Sequence, residues 1–433
     1  MVKPLRVGVA GLGVVGASLV KLLARQRAAI RARTGRDVLV AGVSARSPRD
    51  RGIALGDAAF FGDPGALAQW DGIDLFVELI GGAQGPALES VQLALARGIP
   101  VVTANKAMIA AHGMGLAALA EAKGVALAFE ASCAGGIPIV KVLREGLAGN
   151  EVRRVSGILN GTCNYILSRM ETDGLSFAAC LAEAQRLGYA EADPSFDVGG
   201  ADTAHKLAIL ASLAFGTKID ADAVHVEGIA GVTQADIAAA GELGYRIKLL
   251  GVAERGVHGL EQRVHPTMVA KSAPIAQVMG VLNAVSVQGD AVGELTLIGP
   301  GAGGDATASC VAADIVDVMR GPAMPAFGRP LKALQAAARI PMQRHEGGYY
   351  VRLDVVDRPG AMASITARLG ERNISLEAIM QKRPPRDAQP AGVASVALIT
   401  HATTETAIRE ALALAVADGA ATQKPQVIRI ERE

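Results

Sequence analysis

Aromatic residues make up only 3% of the 433 residues, and no basic stripe is interleaved with them. The stacking platforms that hold single-stranded nucleic acid are therefore missing. Charge of one sign is missing too. The 43 basic side chains nearly match the 42 acidic ones, and the formal net charge is +1. No global field draws a polyanion or an anionic membrane, so neither nucleic acid nor a membrane is expected as a partner. No apolar run reaches the roughly 18 residues of a spanning helix. The opening Met1-Val2-Lys3-Pro4-Leu5-Arg6 leads into a strand-like run without a signal-peptide core, and the expected location is the cytoplasm. Cys133, Cys163, Cys180 and Cys310 lie far apart with no CxxC pair, which argues for reduced thiols and against a disulfide frame or a zinc site.

What the chain has is apolar bulk: 50% hydrophobic against 20% charged residues, the balance of a compact globular protein. Its length exceeds the roughly 250–300 residues at which one core stops growing, so two or three domains are expected. Over residues 6–129, short β-rich runs at 6–10, 38–43, 75–80, 101–103 and 126–129 alternate with helical patterns. Runs apolar on both faces, such as Asp74-Leu75-Phe76-Val77-Glu78-Leu79-Ile80, suit a parallel sheet covered on each side. The fold class is α/β, with a Rossmann-type doubly wound parallel sheet. Beyond it, helical and strand patterns stop alternating regularly, which points to an α+β substrate and dimerisation domain. The expected division is 1–137 for the dinucleotide-binding domain, with 301–320 returning to it, and 138–300 for the substrate domain. A proline-rich linker over 321–348 and a regulatory tail over 349–433 complete it.

Gly11-Leu12-Gly13-Val14-Val15-Gly16 follows the first strand and opens a helix, the setting in which a GxGxxG spacing is informative. Gly11 permits the turn, Gly13 lets amides approach a pyrophosphate, and Gly16 lets helix and strand pack, with the helix N-terminus facing the anion. An NAD-specific site would place an acid at the end of the second strand. None is there: the strand ends in Ser44-Ala45-Arg46, a hydroxyl and a guanidinium suited to a 2′-phosphate. NADP is favoured, with NAD as the alternative.

Four features follow in the middle of the chain: Thr103-Ala104-Asn105-Lys106, the run 129–138, Asn160-Gly161-Thr162, and the run 187–206. Asp202 and Lys206 share a helix face at i,i+4. On spacing alone that is a surface ion pair worth about 0.3–0.5 kcal/mol. The apolar flank Leu207-Ala208-Ile209-Leu210-Ala211 argues instead for burial, which would strip the lysine of solvation and tune it toward proton transfer.

Taken together and in this order, these motifs resemble the homoserine dehydrogenase family, in its monofunctional bacterial form with a C-terminal ACT domain, over nearly the whole chain. The resemblance implies NAD(P)H-dependent reduction of L-aspartate 4-semialdehyde to L-homoserine in threonine, methionine and isoleucine biosynthesis. It makes Lys206 the proton donor and acceptor, places Lys106 near nicotinamide and substrate, and makes Glu191 and Asp202 receptors for the substrate ammonium. Gly188, Glu191 and Gly303 would lie against the cofactor. A monovalent cation, sodium in the family, would be held by Glu130, Cys133, Gly135 and Ile137, all but the glutamate through backbone carbonyls, a hard oxygen set.

In the tail, the alternating strand at 350–356, the turn Asp357-Arg358-Pro359-Gly360, a helix with Met362, Ile365 and Leu369 on one stripe, two further strands and a second helix form a βαββα pattern. It reads as a small autonomous unit that resembles an ACT domain. The resemblance implies inhibition by L-threonine bound near Asn373, Ile374 and the 357–362 loop. Exposed sheet edges favour pairing with a second copy, so a homodimer or homotetramer is expected. The run 383–390 is expected to be a mobile loop. Two alternatives remain open: another ACT-containing dehydrogenase acting on prephenate or 3-phosphoglycerate, and a non-catalytic sensor of amino acid and NADP. None of the seven histidines sits in a motif of the former families. The dinucleotide fold starts within the first ten residues, so a fused aspartate kinase is not expected in this chain.

Overall fold

The computed structural model of the chain describes residues 2–47, 52–382 and 392–431. The first layer is built from β1 (Leu5–Ala10), α1 (Val14–Thr34), β2 (Val38–Ser44), β3 (Ala59–Phe61), α2 (Pro64–Gln69), β4 (Leu75–Glu78), α3 (Pro86–Ala96), β5 (Val101–Thr103), α4 (Lys106–Lys123) and β6 (Leu127–Ala128). The strands form one parallel sheet in the order β3-β2-β1-β4-β5-β6. The order reverses between β1 and β4, and ligands of such sheets bind at the carboxyl ends of the strands beside that point. The edge strand β3 was not anticipated. It has three residues, none fully buried, too short for an alternation to register.

Helix α1 stops where Gly35 takes a left-handed conformation and donates its N–H to the Arg31 carbonyl, with Arg31 and Arg33 in the last turn facing the negative end of the helix. Its apolar face, Leu19, Val20 and Leu23, packs with Ala308, Val311 and Ile315 of a much later helix.

The middle of the chain begins with two short helices, α5 (Ala131–Ala134) and α6 (Ile139–Lys141). It continues through β7 (Val152–Ile158), α7 (Gly161–Asp173), α8 (Phe177–Arg186), α9 (Ser195–Val198), α10 (Ala201–Phe215), β8 (His225–Val226) and α11 (Gln234–Glu242). A long hairpin, β9 (Tyr245–Gly256) with β10 (Gly259–Ala270), precedes β11 (Leu282–Gly289), β12 (Gly293–Pro300) and α12 (Gly304–Arg320), the helix that returns to α1. The hairpin leaves no clear sequence signal because Lys248, Gln262, Arg263 and His265 are buried within it, so its apolar alternation is broken at core positions. Helix α10 is buried almost throughout. Full burial of Leu207, Ile209 and Leu210 contributes about 1.5–3 kcal/mol each.

The tail adds β13 (Glu346–Val356), α13 (Ala361–Glu371), β14 (Leu376–Lys382), β15 (Val393–Thr400), β16 (Thr403–Thr404), α14 (Glu405–Ala417) and β17 (Gln426–Glu431). The expected loop at 383–390 lies outside the described residues. The tail shares a sheet with the middle of the chain. Its last strand, absent from the expected βαββα pattern, pairs with β13 on one side and in parallel with β10 on the other. One 11-stranded sheet thus runs β12-β11-β7-β9-β10-β17-β13-β15-β14 through both regions. Strand β17 is hard to read from sequence because Arg429 and Glu431 interrupt its apolar residues. In the fold, Arg429 is buried and bound by Glu227 and Glu405, while Glu431 pairs with the buried Arg263 and with Arg154.

Candidate active site

The glycine turn closes β1 into α1 at the point where the strand order reverses. Gly11 has φ +98°, and a Cβ there would stand 2.5 Å from the Leu79 carbonyl oxygen. A Cβ on Gly16 would overlap the Gly11 carbonyl, so these two glycines are required by the chain itself. Gly13 is different: no protein atom lies within 4 Å of where its Cβ would be. Open space of that kind before a helix N-terminus fits a dinucleotide pyrophosphate. Leu12 is buried, Val14 exposed and Val15 half-buried beside the turn. Ser44 is buried at the end of β2 and its carbonyl accepts the Gly11 N–H at 2.9 Å, whereas Arg46 is exposed.

At the ends of β4 and β5, the buried Glu78 accepts the Ile80 and Gly81 N–H groups through Oε1 and the Thr103 hydroxyl through Oε2. Asn105 caps α4 by accepting the Met108 N–H at 3.0 Å and donates to the Gly82 carbonyl at 2.7 Å. Lys106, the first residue of that helix, thereby projects from a braced corner.

A cleft of about 270 Å³ opens there, lined by Val15, Ile80, Lys106, Ser132, Gly135 and Lys206 among others. Both lysines converge on one acid. Lys106 Nζ lies 2.6 Å from Asp202 Oδ1, and Lys206 Nζ lies 2.8 Å from Asp202 Oδ2. Lys206 also donates to the Leu159 carbonyl at 2.6 Å, so its burial is met by an ion pair and a hydrogen bond. Burial pushes the Asp202 carboxyl up, but Lys206 and Lys106 outweigh it and hold Asp202 well below the usual carboxylate range.

Two residues not singled out as site residues complete the group. Asn160 Nδ2 donates to Asp197 Oδ1 at 2.8 Å and to Asp202 Oδ2 at 2.9 Å. Asp197 is partly buried, and desolvation raises its carboxyl above the ordinary value against the hydrogen bond from Asn160. The Asn-Gly-Thr run had flagged the asparagine, but contacts 37 and 42 residues away in sequence leave no local trace. Glu191 does not join the lysines. It is exposed on the loop after α8, in no ion pair among the described residues. Gly188 (φ +77°) and Gly303 (φ +108°) are likewise exposed, with open space at their Cβ positions.

On the other wall, Glu130 is buried and both its oxygens accept backbone N–H groups, of Val140 at 2.8 Å and Lys141 at 2.7 Å. The Glu130 N–H in turn donates to Asp314, also buried, at 2.9 Å. Desolvation pushes the two carboxyls up to about 7 and about 8, and neither is in an ion pair with a lysine or arginine among the described residues. Burial pushes the Cys133 thiol up to about 12. Gly135, at φ +57°, packs against the Gly301 carbonyl, and the Ile137 carbonyl accepts the Ile139 N–H at 2.8 Å.

Comparison with known proteins adds three family matches: the "Homoserine dehydrogenase, NAD binding domain" over residues 11–130, "Homoserine dehydrogenase" over 138–316 and the "ACT domain" over 349–413. The homoserine dehydrogenase of Pseudomonas aeruginosa is 46% identical over 417 residues, 95% of each chain. A crystal structure of the Thiobacillus denitrificans homoserine dehydrogenase is 43% identical, with a TM-score of 0.92 over 99% of this chain and 98% of that one. A hyperthermophilic archaeal homoserine dehydrogenase solved in complex with NADPH is 28% identical and covers 73% of this chain and 97% of its own, with a TM-score of 0.62.

Proposed function

The chain belongs to the homoserine dehydrogenase family, and from that premise we propose NADPH-linked reduction of L-aspartate 4-semialdehyde to L-homoserine, with Lys206 as acid and base and threonine as the regulator. The observation that carries the reading is the convergence of Lys106 and Lys206 on Asp202 in the cleft beside the glycine turn.

Gly11, Gly13, Val14, Val15 and Gly16 would hold the pyrophosphate, and Gly188 and Gly303 would flank the cofactor. When bound, the nicotinamide supplies the hydride that adds to the aldehyde carbon. Lys206 gives the proton that the aldehyde oxygen needs and takes it back in the oxidation direction. Asp202 orients both ammonium groups. With its oxygens committed to the lysines, receiving the substrate ammonium falls to Asp197, which Asn160 presents, and to the exposed Glu191. The preference for NADPH rests on the lack of an acid after β2 and on Arg46, whose exposed guanidinium suits a 2′-phosphate; the archaeal relative bound to NADPH is in keeping with it.

The residue set also fits a monovalent cation, sodium by family likeness. Glu130 and Asp314 are adjacent buried carboxylates without a basic partner among the described residues, and buried charge needs a counter-charge. Glu130 and the carbonyls of Cys133, Gly135 and Ile137 would hold the ion.

Threonine would bind the tail near the left-handed Asn373 (φ 55°), Ile374 and the 357–362 loop, in a homodimer or homotetramer. Support for communication with the active site comes from the seam. Arg429 of β17 pairs with Glu227, and two residues on, Ile229 donates its N–H to the Val198 carbonyl at the end of α9, just before α10. The test is initial rates of the full-length protein with homoserine and either NADP or NAD, with and without threonine. Turnover favouring NADP and reduced by threonine is expected. Effector and cofactor binding without turnover would support a sensor instead.

A further inference from the structure

The Leu159–Asn160 corner, where β7 passes into α7, touches every charged member of the cleft except Lys106. The Leu159 carbonyl accepts from Lys206, and the next residue's side chain reaches both acids. Asn160 is buried, and its amide is used completely in one orientation. Oδ1 accepts the Cys163 N–H at 2.8 Å, capping α7. That fixes which end is the carbonyl, so both Nδ2 hydrogens point at carboxylates.

We infer that Asn160 is a positioning residue for the reaction, an uncharged clamp that holds Asp197 and Asp202 side by side with both carboxylates ionised and Asp197 turned toward the substrate ammonium. The inference rests on the proposed homoserine reading for the identity of that ammonium. Two carboxylates this close repel one another. A basic residue between them would offset the repulsion but would neutralise the acid that the substrate needs. An amide donating one hydrogen to each lowers the repulsion without adding charge, and leaves two acids balanced against Lys106 and Lys206.

Asp197 is the member most dependent on the clamp. Desolvation and the neighbouring Asp202 both raise its carboxyl, while Asn160 lowers it, helped more weakly by Lys106 and Lys206. The remaining groups near it cannot replace the amide. Cys163 is a buried thiol that donates to the backbone carbonyl of Asp197 at 3.3 Å, and desolvation lowers the pKa of His205 on α10, so it stays neutral there. Removing the amide therefore moves Asp197 further up, and the pH below which homoserine binding weakens rises with it.

Serine and aspartate both cap helices well, so Asn160→Ser and Asn160→Asp keep the α7 cap; Asn160→Ser deletes only the donation to the acids, whereas Asn160→Asp also sets a third carboxyl against them. Loss of hydrogen bonds to charged groups sets the expected effect at roughly a 10- to 100-fold rise in KM for homoserine. A smaller change in kcat and an acid limb of kcat/KM displaced to higher pH accompany it, with the larger displacement in Asn160→Asp. In Asn160→Ser, thermal midpoint and NADPH binding stay near parental values. A crystal structure of Asn160→Ser at neutral pH, which does not depend on what the substrate is, should show the Asp197 carboxylate turned away from Asp202. An unmoved Asp197 carboxylate, or an acid limb identical to the parent's in both variants, would overturn the clamp. Failure of the unmodified protein to turn over homoserine would instead overturn the substrate assignment and leave the crystallographic test to decide on the clamp.

Discussion

Lys106 and Asp202 belong to different sheet layers, yet their charged atoms stand 2.6 Å apart across the cleft. Lys106 starts α4 at the end of the parallel sheet, and Asp202 is in the first turn of the buried α10. Asp202 thus ties the glycine-turn side of the cleft to the α10 side, the proposed dinucleotide and substrate halves.

Removing that tie exposes its weight. Asp202→Asn leaves the buried Lys206 without its acid, and loss of one partner of a buried pair costs about 3–5 kcal/mol. Urea unfolding should show a loss of this order, and kcat should fall as both lysines lose their orientation. Parental stability and kcat would mean that Asp202 orients neither.

On the proposed reading, Arg46 is the side chain that would separate the two dinucleotides. Arg46→Ala should lower kcat/KM for NADPH by roughly 10- to 100-fold, the value of a charge-assisted contact. Rates with NADH should stay within about two-fold of the parent, as measured in parallel assays.

Arg429 is the keystone of the seam between the tail and β10, nearly fully buried and bonded to both Glu227 and Glu405. Arg429→Ala should destabilise the protein by about 3–5 kcal/mol and blunt inhibition by threonine. Inhibition curves measured well below the unfolding temperature separate the two effects.

The same seam dictates a response to acid. His265 is fully buried, and desolvation, then Arg429 and Arg263, hold its pKa well below the ordinary value of 6.5. Its unfolded form therefore binds a proton that the folded form refuses, and stability falls as pH drops below about 6.5. Glu227, Glu261 and Glu431 are pushed up by burial but pulled further down by His225 and Arg429, by His345 and Arg263, and by Arg263 and Arg154 respectively. Their contribution is present above the unfolded value of 4.5 and is lost as pH falls below it. Urea titrations should show stability declining in two stages, with the upper stage, at most about 1.4 kcal/mol per pH unit, flattened in His265→Gln.

Local chemistry explains what the sequence made legible. The positive φ of Gly11 and the contact of Gly16 with the Gly11 carbonyl are local to the turn, and the Asp202 and Lys206 pair follows helical spacing, so both could be read from the chain. The Asn160 clamp and the convergence of Lys106 on Asp202 join residues far apart in sequence, and only the fold brings them together. The hairpin β9–β10 and strand β17 were hidden for a different reason. Their buried Lys248, Arg263, His265 and Arg429 find polar partners inside the fold, Asn164 and the Val278 carbonyl for Lys248, Glu261 and Glu431 for Arg263, Thr267 for His265, and Glu227 and Glu405 for Arg429, so the polar residues that mark a solvent face elsewhere lie in the core here. Glu191 shows the converse: it sits in an informative motif but points to solvent.

The most direct test of the account is the rate of homoserine-dependent NADP reduction by the full-length protein beside its Lys206→Ala variant. Turnover in the parent and a fall in kcat of about 10²- to 10⁴-fold in the variant are expected, the usual contribution of a general acid, with NADPH affinity within about two-fold. Near-parental turnover by Lys206→Ala, or none by the parent, would contradict it.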